Sequence, residues 1–377
     1  MKRKIIYVTG TRADYGLMRE FLKKLHNSDD IDLLVCVTGM HLSNLYGNTI
    51  KEIELDGFRI SGQISVDAEH STHTSMAKSI GHQIIGMTDI FEREAPDIIL
   101  LLGDRGEMLA AAITAVHLNI PIVHLHGGER SGTVDEMIRH SISKLAHYHF
   151  VATEASKERL IKMGENERAI KVIGAPGLDA ICKYQTIDRK VFFNRFGLSF
   201  EKKTALLIFH PIVQEYNDIK SQFRNVITAA LDADLQIICF EPNSDAGGHL
   251  IREVLQEYVA HQDVIIMKHL IREEFITCLA CADVMVGNSS SGIIEAASFN
   301  LVVVNIGNRQ NLRETGDNVI HVAPSFDAVA VGIKEALQRP NRDYKNIYGD
   351  GNASERGYQL LKTITLSTQL LNKSNAY

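Results

Sequence analysis

Residues 5–16 read IIYVTGTRADYG: a short apolar run, a polar cluster carrying glycine, then the opening of an amphipathic segment. The same grammar returns at residues 98–107, IILLLGDRGE, and in the second half at 205–211, ALLIFHP, and 284–295, VMVGNSSSGIIE. Each apolar run is short and rich in branched side chains, so it reads as a strand, and the segment after it carries helical periodicity. Repeated strand–turn–helix units build parallel sheets. The fold class is therefore α/β.

The flanking sequence extends the pattern. Further strands are expected at 33–38, 122–125, 149–152 and 170–173, with helices at 17–25, 75–94, 108–118, 136–146 and 154–163. Residues 56–74 are polar and mixed and read as loops with room for one short strand. A charged, irregular stretch at 183–203 interrupts the alternation, which then restarts. Strands follow at 205–209, 236–240, 264–267, 284–286 and 302–306, and helices at 218–232, 249–261, 272–280, 293–298 and 327–338. Two parallel-sheet domains result, residues 1–180 and 200–350. The last segment, 355–377, is helical to about residue 371 and is assigned to the N-terminal domain.

Composition narrows the function. At 377 residues and about 150 per domain, two or three domains are expected. Forty Lys and Arg face 46 Asp and Glu, a formal net charge of -6, which argues against a nucleic-acid partner. No apolar stretch approaches a membrane span, and the N-terminal run is too short for a signal peptide. Five cysteines fit a reducing cytoplasm, where the protein is expected to reside. The Cys278-x-x-Cys281 pair stands in a helical stretch without a companion pair and reads as buried packing.

Five polar clusters sit where expected strands end: 9–16, 103–107, 126–136, 210–216 and 287–292. Ligands of open α/β sheets bind outside the carboxyl ends of strands, so the clusters of two domains imply one site in a cleft between them. Around Arg12, free N–H groups at a helix start would attract an anion; Arg12 clamps it or pairs with Asp14. Asp104 meets the ligand or caps the next helix. His124 and His126 lie at strand spacing, but no third ligand accompanies them, so no metal is expected. Asp135 with Arg139, and Glu136 with His140, are i,i+4 pairs, either surface pairing or a held acid or base near Glu129. His210 opens the loop after the first strand of the second half. Ser289, Ser290 and neighbouring backbone N–H groups make a diphosphate cradle, with Glu295 placed for a ribose. These residues describe a nucleotide-like diphosphate binder without naming a reaction.

The words TGTRADYG (9–16), TGMH (38–41), GDR (103–105), GGERSGTVDEMIRHSISKLAHYH (127–149), HP (210–211), GNSSSGIIE (287–295) and IGNRQ (306–310) carry a resemblance. Over essentially its whole length the chain resembles the UDP-N-acetylglucosamine 2-epimerases, above all the hydrolysing branch that feeds sialic acid synthesis. The resemblance implies a GT-B-like fold of two Rossmann-like domains with an interdomain cleft, no cofactor, a UDP-sugar substrate and UDP product, and a homodimer or homotetramer. It implies anti elimination of UDP to a 2-acetamidoglucal, then hydration to N-acetylmannosamine. Catalytic roles fall to Asp104, His126, Glu129, Asp135 and His210. Substrate or UDP contacts fall to Arg12, Arg105, Glu136, Arg139, His140, Gly174, His210, Asn243, Ser289, Ser290, Glu295 and Arg309. One position departs from the pattern: many relatives carry glutamate where this chain has His126. Either the imidazole takes over proton transfer, or Glu129 or Glu136 does, or the change marks a different sugar, such as the 2,4-diacetamido-trideoxy sugar of legionaminic acid synthesis. The rival readings are a non-hydrolysing 2-epimerase, a GT-B glycosyltransferase and a non-catalytic nucleotide-sugar sensor.

Overall fold

The computed structural model describes residues 2–70, 72–184, 187–268, 270–340 and 342–377. Two fully parallel sheets organise it. The first holds β1 (Arg3–Thr9), β2 (Ile31–Thr38), β3 (Arg59–Ile64), β4 (Ile98–Leu102), β5 (Ile122–Leu125), β6 (Tyr148–Val151) and β7 (Ile170–Val172), in the order β3-β2-β1-β4-β5-β6-β7. The second holds β8 (Thr204–Ile208), β9 (Gln236–Phe240), β10 (Val264–Met267), β11 (Val284–Gly287), β12 (Val303–Ile306) and β13 (Val319–Val322), in the order β10-β9-β8-β11-β12-β13. This is the two-domain, Rossmann-like architecture with an intervening cleft.

The strands are apolar throughout because helices cover both faces. In β1, Ile5 and Tyr7 enter one core layer with Met18, Phe21 and Leu22, while Ile6 and Val8 enter the opposite layer with Phe91, Met108 and Ala111. Leu361 and Ile364 join the first of these layers, and Arg3 Nη2 donates to Ile364 O at 3.0 Å. The carboxylate of Asp179 caps the helix Ala353–Thr363, accepting from Ala353 N at 3.0 Å and Ser354 N at 2.6 Å. The C-terminal segment thus lies on the first sheet, though as two helices, Ala353–Thr363 and Thr368–Leu371, not one.

Several elements differ from expectation. The first helix is Arg12–His26, starting five residues early, because Thr11 and Asp14 form a reciprocal capping box. The helices Ile50–Leu55, Gly177–Lys183 and Arg189–Asn194, and strand β13, were not anticipated. The mixed 56–74 segment does hold its one short strand, β3. No described helix is long and apolar enough to cross a membrane.

Candidate active site

In each sheet the strand order reverses beside the first strand, between β1 and β4 and between β8 and β11. At such switch points the loops splay apart and leave a crevice. The loops after β1 and β4 face those after β8 and β11, enclosing a cavity of about 320 Å³. Arg12, Asp104, Arg105, His126 and Arg139 line it from the first domain; His210, Asn243, Ser289, Ser290, Glu295 and Arg309 line it from the second.

Asp104 follows β4, and Arg105, not Asp104, occupies the helix N-cap position. The carboxylate is engaged instead by Arg139, whose side chain is completely buried and also donates from Nη1 to Glu129 O at 3.0 Å. Beneath this loop His124 bridges Gly103 O at 2.7 Å and Ser143 Oγ at 3.1 Å. Burial pushes its imidazole down to about 3, so it is a neutral strut. His126, one residue beyond β5, adopts φ 59, which breaks the strand spacing that would have put it beside His124. Among the described residues no His, Cys, Asp and Glu group is arranged to hold a metal. The left-handed backbone is uncommon for a residue with a side chain; here it goes with a 2.5 Å contact between His126 Nδ1 and Glu129 Oε1. Nε2 is left as the nitrogen available to the cavity.

Opposite, Gly287 carries φ 140, and a Cβ there would lie 1.9 Å from Ile208 O. Glycine is required for β11 to pass β8 and release the Asn288–Ser291 turn into the cleft. Ser289 caps the following short helix, and its hydroxyl meets that of Ser291 at 2.9 Å. Asn288 locks the two switch-point loops together, accepting from His210 N at 2.7 Å and donating to His210 O at 2.9 Å. Burial, with Arg309 nearby, holds His210 well below its ordinary value, so it is neutral. Its Nδ1 accepts from Asn243 N at 3.3 Å, which puts the ring hydrogen on Nε2 as a donor. Glu295, nearly fully buried, is ion-paired with Arg272.

The domains meet through the loop after β12. Gly132 packs so closely on it that a Cβ would fall 1.9 Å from Asn308 O. Arg309 Nη2 lies 3.6 Å from Asp135 Oδ2, and Arg313 Nη1 lies 2.8 Å from Glu129 Oε2 and its Nη2 3.7 Å from Asp104 Oδ2. From the other side, Arg105 reaches Ser244 Oγ at 3.4 Å and Asp245 Oδ1 at 3.5 Å. Two arginines of the second domain therefore touch three carboxylates of the first.

Several expectations are corrected. Gly10 N and Thr11 N are not free for an anion: the Asp14 carboxylate accepts from them at 3.1 and 2.8 Å. Arg12 pairs with Glu52 at 2.8 Å, not with Asp14. Arg139 turns inward to Asp104, so the Asp135–Arg139 helix pair does not form. Glu136 accepts from Ser131 N at 2.8 Å and lies 3.6 Å from His140, and neither lines the cavity. Glu129 stands behind His126, outside the lining. Gly174 packs on Gly349 and Tyr348 away from the cleft. Asp135 lines a smaller neighbouring pocket. Cys278 and Cys281, as expected, are buried in a core layer of the second domain. Arg272 and Arg313 were missed; Arg313 lies four residues past Arg309 in the same non-helical loop.

The comparisons with known proteins agree with this geometry. The family profile described as UDP-N-acetylglucosamine 2-epimerase matches residues 23–362. The UDP-N,N'-diacetylbacillosamine 2-epimerase (hydrolyzing) of Legionella pneumophila is 68% identical over 377 residues, all of both chains. The GDP/UDP-N,N'-diacetylbacillosamine 2-epimerase (hydrolyzing) of Campylobacter jejuni is 34% identical over 324 residues, 85% of this chain and 84% of that one. The structure of Neisseria meningitidis UDP-GlcNAc 2-epimerase bound to UDP-GlcNAc superposes with a TM-score of 0.80 at 19% identity, covering 95% of this chain and 99% of that one. With its two parallel-sheet domains, cleft-facing loops and matched profile, the chain belongs to the UDP-N-acetylglucosamine 2-epimerase family.

Proposed function

We propose that this chain is a hydrolysing UDP-sugar 2-epimerase that converts UDP-N,N'-diacetylbacillosamine and water to UDP and the free 2,4-diacetamido-2,4,6-trideoxy sugar inverted at carbon 2. The observation that carries this reading is the 68% identity along both entire chains with the L. pneumophila enzyme of that name. UDP-N-acetylglucosamine, placed first by motif resemblance, becomes the second candidate.

In the elimination a base takes the carbon-2 proton, the electron pair forms the C1–C2 double bond, and the C1–O bond breaks to release UDP. Water then adds its hydroxyl at carbon 1, while carbon 2 is reprotonated on the face opposite the one that lost its proton. The cycle needs two proton-exchanging groups and a stabilised leaving group. Asp104 and His126, at the ends of adjacent strands, are the proton-exchanging pair, each tethered from behind, by Arg139 and Glu129 respectively. Ser289, Ser290, Arg309 and the neutral His210 meet the departing diphosphate, and Glu295 takes the ribose. Residues 1–180 with the C-terminal helices thus supply proton transfer, and residues 200–350 hold UDP.

Initial rates of UDP release from the two UDP-sugars test the substrate. A kcat/KM advantage of about tenfold or more for the diacetamido sugar is expected. A preference for UDP-N-acetylglucosamine overturns the assignment, and an epimerised UDP-sugar without free UDP overturns hydrolysis.

A further inference from the structure

Beside the main cavity lies a second pocket of about 90 Å³, and Asp104 and Arg105 line both. None of the UDP-side residues Ser289, Ser290 and Glu295 borders it, whereas Asp135 does. On the substrate reading above, a group seated there belongs to the sugar, although Val213, Ser244 and Asp245 of the second domain also border the pocket. Part of its wall is apolar, formed by Val66 and Ala68 after β3, Met76 and Ile80 on the helix His73–Glu94, and Val134 and Ile138 on the helix Val134–Leu145, and carboxylates including Asp67 and Glu107 border it as well. Hydroxyl groups placed against such walls would lose their water partners without replacement. Methyl groups would not.

Gln83 is the one carboxamide in the lining. Gln83 is 2% exposed and donates from Nε2 to Thr38 Oγ1 at 3.2 Å. The pocket also far exceeds the ~10–15 Å³ that holds a single water. Apolar walls bordered by acceptors, among them Gln83, Asp67 and Asp135, fit an acetamido group: the methyl against the walls, the amide N–H toward an acceptor.

We propose that this side pocket is the specificity subsite for the carbon-4 acetamido group, and that the carbon-6 methyl packs at its mouth. The proposal rests on the substrate reading above. It gives a physical reason for preferring the diacetamido sugar: UDP-N-acetylglucosamine would place hydroxyls at both positions.

Two variants test it, Ile80→Gln, which puts a longer, polar side chain in place of an apolar wall, and the isosteric Val66→Thr. For each, kcat/KM is measured on both UDP-sugars, together with the inhibition constant of UDP and the melting temperature with and without UDP. The ratio of kcat/KM between the diacetamido sugar and UDP-N-acetylglucosamine should fall by about 10-fold or more in Ile80→Gln, in the range one misplaced group in an apolar pocket produces, and less in Val66→Thr. The UDP constant should hold. An unchanged ratio in folded, UDP-protected variants overturns the subsite, as does an equal loss on both sugars, which would mean that the shared carbon-2 acetamido group sits there. A wild-type ratio at or below one is a separate result: it refutes the substrate reading itself, and the subsite with it.

Discussion

Replacing Arg313 with methionine withdraws the cation that the second domain inserts between two carboxylates of the first. Arg313 is 8% exposed and lies 2.8 Å from Glu129, itself 3% exposed. Burial alone would raise the Glu129 carboxyl, but Arg313, then His126, outweigh it and hold the group below its ordinary value. Removing one partner of a buried ion pair costs ~3–5 kcal/mol, and the surviving His126 contact points to the lower end. With an unfolding entropy of ~2.1 cal/mol/K per residue, a chain of this size loses about 4 °C of Tm for a loss of ~3 kcal/mol. The pH dependence carries a sign. In the wild type the depressed Glu129 contributes stability above its unfolded pKa, and this is lost only as pH falls below ~4.3 toward the folded pKa. In the variant burial dominates and the folded pKa rises above the unfolded one. That contribution is present in acid and disappears as pH rises, so the Tm deficit widens from about pH 5 to about pH 8. Scanning fluorimetry of both proteins across that range reads the effect. A variant whose Tm and pH profile overlay those of the wild type would refute the reasoning, because Glu129 would then need no partner from the second domain.

Asp104→Asn should abolish turnover, by ~10²–10⁴-fold or more as expected for a lost proton-transfer group, with calorimetric UDP affinity little changed; near-normal turnover would remove Asp104 from the chemistry. His126→Asn suits the φ 59 backbone, since asparagine tolerates the left-handed region. It should lose far more in kcat than in KM, whereas a rate within a fewfold of wild type would remove His126 from proton transfer. Gly132→Ala pushes a methyl into Asn308 O and displaces the loop carrying Arg309 and Arg313. A shift of about 1 Å at the reacting groups can cost ~100-fold in rate, and unchanged kinetics would show that the domains close without this contact.

The strands that build the two switch points were legible because they are buried on both faces and so apolar without interruption, as in Ile98–Leu102. β13, Val319–Val322, escaped notice: at the sheet edge, with His321 exposed, it lacks that signature. The early start of the Arg12–His26 helix lay in a capping box that reads equally well as a glycine loop. That Ser289, Ser290 and Asp104 line the cleft was legible because each follows the end of a strand. Arg139 was assigned to the wrong partner, since i,i+4 spacing on a helix says nothing about an inward turn to an aspartate 35 residues away. Arg313 was invisible for a deeper reason. Its partners belong to the other domain, and only docking of the two domains brings them within reach.

Proton NMR of the purified protein with UDP-N,N'-diacetylbacillosamine in deuterated water tests the central claim most directly. Release of UDP together with a free sugar inverted and deuterated at carbon 2 is the predicted result, because elimination exchanges that proton with solvent before hydration. Release of UDP with carbon 2 still protonated and its configuration retained would contradict the account, as simple hydrolysis or glycosyl transfer would give that outcome.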